Sequence, residues 1–194
     1  MTIKAFYQSE FEEHLQVAQA TQDALLAPFQ QLLTACVQCI QKGRKILLFG
    51  NGGSAADSQH LATELTIRYK TNRSPIAAIA LTTDTSALTA CGNDLGFNQL
   101  FARQIEALGH QGDVAIGIST SGKSPNVTLA LRKAKEMGIV PAAFSGRDGG
   151  DLIGLADPLL IVPSHTTSRI QEMHITLGQM LCGALERELG LVAS

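Results

Sequence analysis

The chain has 194 residues, a length that suits one domain around one core. A chain of this size buries roughly 70% of its unfolded surface and needs no disulfide or metal staple. Its net charge is −2 and its basic residues are scattered, which argues against direct binding to nucleic acid. No apolar run is long enough to cross a membrane and residues 1–8 have neither signal nor transit character, so a cytoplasmic location without a membrane role is expected.

Residues 3–27 read as a long helix, with Phe6, Phe11, Leu15, Ala18, Leu25 and Leu26 marking one side. Pro28 is expected to break it, with a second helix running to Gln41. Two helices ahead of the first strand exceed what one small sheet needs for cover. Residues 1–43 are therefore read as an oligomerisation element within a single domain spanning 1–194. Cys36 and Cys39 form a C-x-x-C without a second pair, on an apolar helical stretch, which favours buried reduced thiols over a zinc or redox site.

Lys45-Ile46-Leu47-Leu48-Phe49 reads as a buried parallel strand. Gly50, Gly52 and Gly53 then allow a sharp turn and close approach to a ligand, without the spacing of a dinucleotide fingerprint. Ser54 is expected to cap a helix over 54–69, with Asp57 in its first turn. A glycine turn at a helix start is a natural anion site. His60 and Glu64, four residues apart, share one face of that helix. Strands at 76–81, 113–118, 139–144 and 159–162 follow, with helical segments up to 108, a helix at 124–137 and a closing helix at 168–189. The alternation predicts an α/β fold: a five-stranded parallel sheet with helices on both faces, doubly wound, with two leading helices. Ligands in such folds sit beyond the carboxyl ends of the strands.

Gly117-Ile118-Ser119-Thr120-Ser121-Gly122-Lys123-Ser124 matches the Walker A pattern formally. Gly117 falls inside the strand, however, the loop carries hydroxyls where a phosphate cradle carries glycine, and no later strand ends in a magnesium-binding Asp. Four hydroxyls (Ser119, Thr120, Ser121 and Ser124) beside a helix start, with Pro125 at its first position, suit a phosphate monoester better.

Asn51-Gly52-Gly53-Ser54, Ser119-Thr120-Ser121-Gly122 and Arg169-Ile170-Gln171-Glu172 occur in the same order in the sugar isomerase (SIS) domain family. The chain resembles that family, and its phosphoheptose isomerases most of all, along essentially its whole length. The resemblance implies a homotetramer and conversion of sedoheptulose 7-phosphate to D-glycero-D-manno-heptose 7-phosphate, a precursor of lipopolysaccharide core sugars. It implies a sugar phosphate held by Ser119, Thr120, Ser121 and Ser124, with Asn51, Gly52, Gly53, Asn93, Asp94 and Gln171 near the substrate, and Glu64 as base. In zinc-binding members His60, Glu64 and Gln171 match ligand positions. The family's second catalytic residue, also a metal ligand, is a His eight residues beyond Gln171; this chain has Gln179 there. His174, about 140° around the helix from position 179, is a poor replacement. The chain is also similar to the initiator-associating protein of the same family, notably in Pro163-Ser164-His165, which implies a replication initiator as an alternative partner. The position of Glu64 is not acidic in that relative, and Glu64 here favours the enzyme.

Overall fold

A computed structural model of the chain describes residues 1–192. The elements are α1 (Ile3–Gln41), β1 (Ile46–Gly50), α2 (Gly53–Thr66), β2 (Ala78–Ala80), α3 (Thr85–Asp94), α4 (Leu100–Leu108), β3 (Val114–Ser119), α5 (Pro125–Glu136), β4 (Val140–Gly146), β5 (Leu159–Val162) and α6 (Thr167–Glu188). The five strands form one parallel sheet in the order β2-β1-β3-β4-β5. Every residue of β1 and β3 is buried, as their unbroken apolar runs require between two helical layers. One layer of core joins α1, α2 and α6 to the sheet, through Leu32, Leu61, Leu65 and Leu177. The other joins α4 and α5, through Phe101, Ile105, Val127 and Leu131. Gly117 lies within β3, where a Cβ would press on Val127 and Leu131; it serves helix-on-sheet packing, not a nucleotide loop. The strand order reverses between β1 and β3, which opens a crevice at their carboxyl ends.

The two expected leading helices are one. Pro28 sits inside α1, although an interior proline costs about 3 kcal/mol. Leu25 and Leu32 are both buried in the same core, and each contributes roughly 2–3 kcal/mol by burial. The carbonyl that Pro28 leaves unbonded belongs to Ala24, an exposed residue that water reaches. The expected apolar side is also corrected. Phe6, Phe11, Leu15 and Leu26 are exposed, whereas Val17, Thr21, Leu25, Leu32, Cys36 and Cys39 face the body. Cys36 and Cys39 are buried thiols; burial, with Asp113 next in weight, pushes Cys39 up to about 11. Among the described residues, no helix is long and apolar enough to cross a membrane.

Two buried polar groups fasten the layer that carries α2 and α6. The Arg73 guanidinium donates to Glu186 Oε1, Leu65 O and Glu64 O, each at 2.7 Å. It thereby satisfies carbonyls at the end of α2 that have no helical partner. His174 Nε2 donates to Ser145 O at 2.9 Å, and burial lowers its pKa to about 4.

Arg73→Ala should cost about 3–5 kcal/mol by stranding the buried Glu186 carboxylate, and Arg73→Lys should not restore it because an ammonium lacks the planar fork; urea unfolding midpoints check both. The neutral His174 imidazole belongs to the folded state. Its contribution is present above pH 6.5 and is lost as pH falls toward 4, roughly 3 kcal/mol in all. His174→Leu should flatten that slope in unfolding curves recorded across pH 4–7.

Candidate functional site

β1 delivers its carboxyl end directly into the glycine turn. A Cβ on Gly50 would lie 2.7 Å from both Ile118 O, on its ladder partner in β3, and Ser54 Cβ, so glycine lets the chain turn from strand into helix at the mouth of the crevice. Gly52 has φ +56° and takes the cap position of α2, a backbone that glycine adopts at no steric cost. That turn starts the helix at Gly53, so the expected Ser54 cap is corrected: Ser54 is buried inside the first turn. Gly53 leaves room for Gln171 of α6, whose Nε2 would be 2.7 Å from a Cβ there.

The loop after β3 faces this turn. Ser119 Oγ and Ser124 Oγ are 3.0 Å apart, so Ser124 occupies the cap position of α5 while its hydroxyl turns toward the loop. Ser121 Oγ accepts from Lys123 N, and Thr120 and Ser121 are half-buried. Gly122, at φ +66°, packs against the backbone of Gly149 and Gly150. Lys123 Nζ lies 3.6 Å from Asp148 Oδ2 and holds that exposed carboxyl below its usual range. Asn51 and Asn126 exchange two amide hydrogen bonds between the two turns.

α2 and α6 supply the third wall. His60 Nε2 meets Glu64 Oε1 at 3.0 Å and the Gln179 amide at 2.7 Å. The Glu64 side chain is 21% exposed and His60 51%: both reach solvent from a helix whose other face is buried. The helices approach closely because Gly178 packs on Leu61 and Gly183 on Tyr69. Gln171 lies eight residues before Gln179 on α6, and its amide stands over Gly53 while that of Gln179 reaches His60. His174 turns away into the core. Among the described residues no group of three or more His, Cys, Asp or Glu converges. Asn93 and Asp94 end α3, are exposed, and hydrogen-bond to each other.

Sequence reasoning missed Arg73 and Asn126, which carry no local signature, since their partners lie far along the chain. Asp57, expected in the first turn, falls beyond it because α2 starts at Gly53; burial, with His60 opposing, holds its carboxyl above the ordinary range.

A SIS domain model matches residues 7–146. The phosphoheptose isomerase of Paramagnetospirillum magneticum is 59% identical over 186 residues, covering 96% of this chain and 97% of its own. Among solved structures, the phosphoheptose isomerase from Neisseria gonorrhoeae aligns with a TM-score of 0.90 at 44% identity, covering 96% of this chain and 100% of its own. The one from Francisella tularensis aligns with a TM-score of 0.93 at 36% identity, with the same coverage. The two turns and the α2–α6 seam therefore stand in a molecule whose likeness to these proteins runs nearly end to end, and the chain belongs to the SIS-domain family.

Proposed function

We propose that this chain is an aldose–ketose phosphosugar isomerase that converts sedoheptulose 7-phosphate to D-glycero-D-manno-heptose 7-phosphate. The observation that carries the proposal is the solvent-reaching Glu64 carboxylate, 3.0 Å from His60 on α2 and on the same helix whose start faces the hydroxyl loop. Isomerisation moves a proton between adjacent carbons through an enediol. It needs a base beside the carbonyl and hydrogen-bond partners for the developing oxyanion. Glu64 takes the proton from one carbon and returns it to the next. His60, Gln171 and Gln179 offer hydrogen bonds to the two oxygens. The hydroxyls of Ser119, Thr120, Ser121 and Ser124 hold the phosphate, and Asn51, Gly52, Gly53, Asn93 and Asp94 line the sugar between the ends. Binding energy from the phosphate end then positions the reacting carbons.

The donor set at His60 fits a divalent cation. The His60 imidazole nitrogen lies 3.0 Å from a Glu64 carboxylate oxygen and 2.7 Å from the Gln179 amide, and an amide presents a carbonyl oxygen when it turns. Zinc would be held by His60, Glu64 and the carbonyl oxygens of Gln171 and Gln179, and would supply Lewis-acid polarisation of the substrate oxygens. Amide oxygens are weaker zinc ligands than imidazole, so this chain should hold the ion loosely.

The exposed stripe of Ile3, Phe6, Tyr7, Phe11 and Leu15 on α1 supports residues 1–43 as the oligomerisation element of a homotetramer. One observation favours a second reading. Gln179 cannot trade a proton near neutral pH, and a sugar-phosphate-binding tetramer that binds the replication initiator needs no such group.

Glu64→Gln should lower kcat for sedoheptulose 7-phosphate by about 10²- to 10⁴-fold, followed as aldose 7-phosphate formed with and without added Zn²⁺. A folded protein without turnover in any metal condition would favour the second reading. Gln179→His should tighten zinc about tenfold or more, measured by competition with a chelating dye; an unchanged affinity would remove position 179 from the ligand set.

A further inference from the structure

We propose that Asn126 is a positioning residue that acts through Asn51 to hold the turn after β1 and the loop after β3 in one register, so that a single ligand can span both. The proposal rests on the assignment of these turns as the sugar and phosphate ends of one site.

Asn51 is the first residue after β1 and Asn126 the second of α5. They meet across the point where the strand order reverses. Asn51 Nδ2 donates to Asn126 Oδ1 at 2.9 Å, and Asn126 Nδ2 donates to Asn51 Oδ1 at 2.8 Å. Asn126 Oδ1 also accepts from Val127 N at 3.0 Å, which fixes the amide against its own helix. Asn126 is 1% exposed, so this is a buried polar group whose partners must be present to offset its desolvation. Leucine has nearly the same size and would fill the space without that requirement. What the amide adds is direction. The pairing of Gly50 with Ile118 in the β1–β3 ladder fixes the strand ends, but the turns that follow leave the sheet, and there two antiparallel amide bonds fix both distance and tilt. Asn51 is half-buried beside the exposed Gly52 and Gly53, so the link runs from the interior to the site mouth.

A ligand that occupies only the hydroxyl loop does not sense this register; a ligand that reaches from the loop to Glu64 does. Calorimetry with inorganic phosphate and with sedoheptulose 7-phosphate, together with turnover, separates the two. For Asn126→Leu, phosphate affinity should stay within about twofold, while sugar-phosphate affinity or kcat/KM falls about 10- to 100-fold, the size expected for misplaced reacting groups. Asn126→Ala should show the same split, and it serves as the probe if the Leu protein does not fold. In an Asn51→Ala background, the substitution at 126 should add less than about twofold, because its route of action is gone. Equal losses for both ligands, no loss for either, or an undiminished effect without Asn51 would each overturn the proposal. A wild-type protein that binds neither ligand would overturn the site assignment and this proposal with it. That result differs from a wild-type protein that binds both and a position-126 variant that binds both equally well.

Discussion

Gly178 sits where any side chain would drive into Leu61: a Cβ there would lie 2.5 Å from Leu61 Cδ1. That contact sets the separation of α2 and α6, and the separation decides whether Gln179 can touch His60. The seam continues through Gly183 against Tyr69 and ends in the buried Arg73–Glu186 pair. The Arg73 fork binds one carboxylate oxygen and three carbonyls at once, one of them the carbonyl of Glu64. Buried ion pairs contribute little net stability against well-packed apolar groups. The gain here is geometric, because the backbone beneath Glu64 is held while its carboxylate faces the crevice.

The electrostatics at the outer end of the seam are unusually even-handed. His60 Nε2 faces a carboxylate oxygen that can only accept and an amide that can do either. If the nitrogen carries hydrogen it donates to Glu64, and Gln179 turns its oxygen inward. If the nitrogen is bare, the Gln179 amide donates to it. A glutamine at this place accommodates both states of the imidazole without adding charge. A histidine would add a second titrating group beside Glu64, and with it a stronger ligand for a cation.

Much of this arrangement was legible in the sequence because it is local. The runs at 46–49 and 114–118 are apolar without alternation, which marks them as strands buried on both faces, and the polar residues that follow fall at the carboxyl ends. The glycine turn and the hydroxyl loop could be read from their own composition. Pro28 is not legible as a helix-interior residue because propensity alone omits the burial of Leu25 and Leu32 on either side of it. Ser54 misled because a left-handed glycine can start a helix as readily as a side-chain cap. Asn126 and Arg73 were out of reach for another reason: their partners, Asn51 and Glu186, lie 75 and 113 residues away, and no periodicity encodes such pairs.

The N-terminal part of α1 inverts the usual logic of a surface helix. Polar bonds join it to its own domain: Arg169 reaches Glu10, Thr166 donates to Glu13, and His14 meets Glu172. Its large apolar side chains point the other way, with Phe11 54% and Leu15 64% exposed and the rings of Tyr7 and Phe11 5.0 Å apart. A monomeric surface helix turns its apolar stripe inward and its charges out. An outward apolar stripe of this kind is what an interaction surface presents, in keeping with the proposed homo-oligomer. The polar bonds that fix the stripe land on the first turns of α6, at Arg169 and Glu172, on either side of Ile170 and Gln171. A second copy packed on that stripe, as proposed above, would load the same helix that carries Gln171 over the glycine turn and Gln179 to His60.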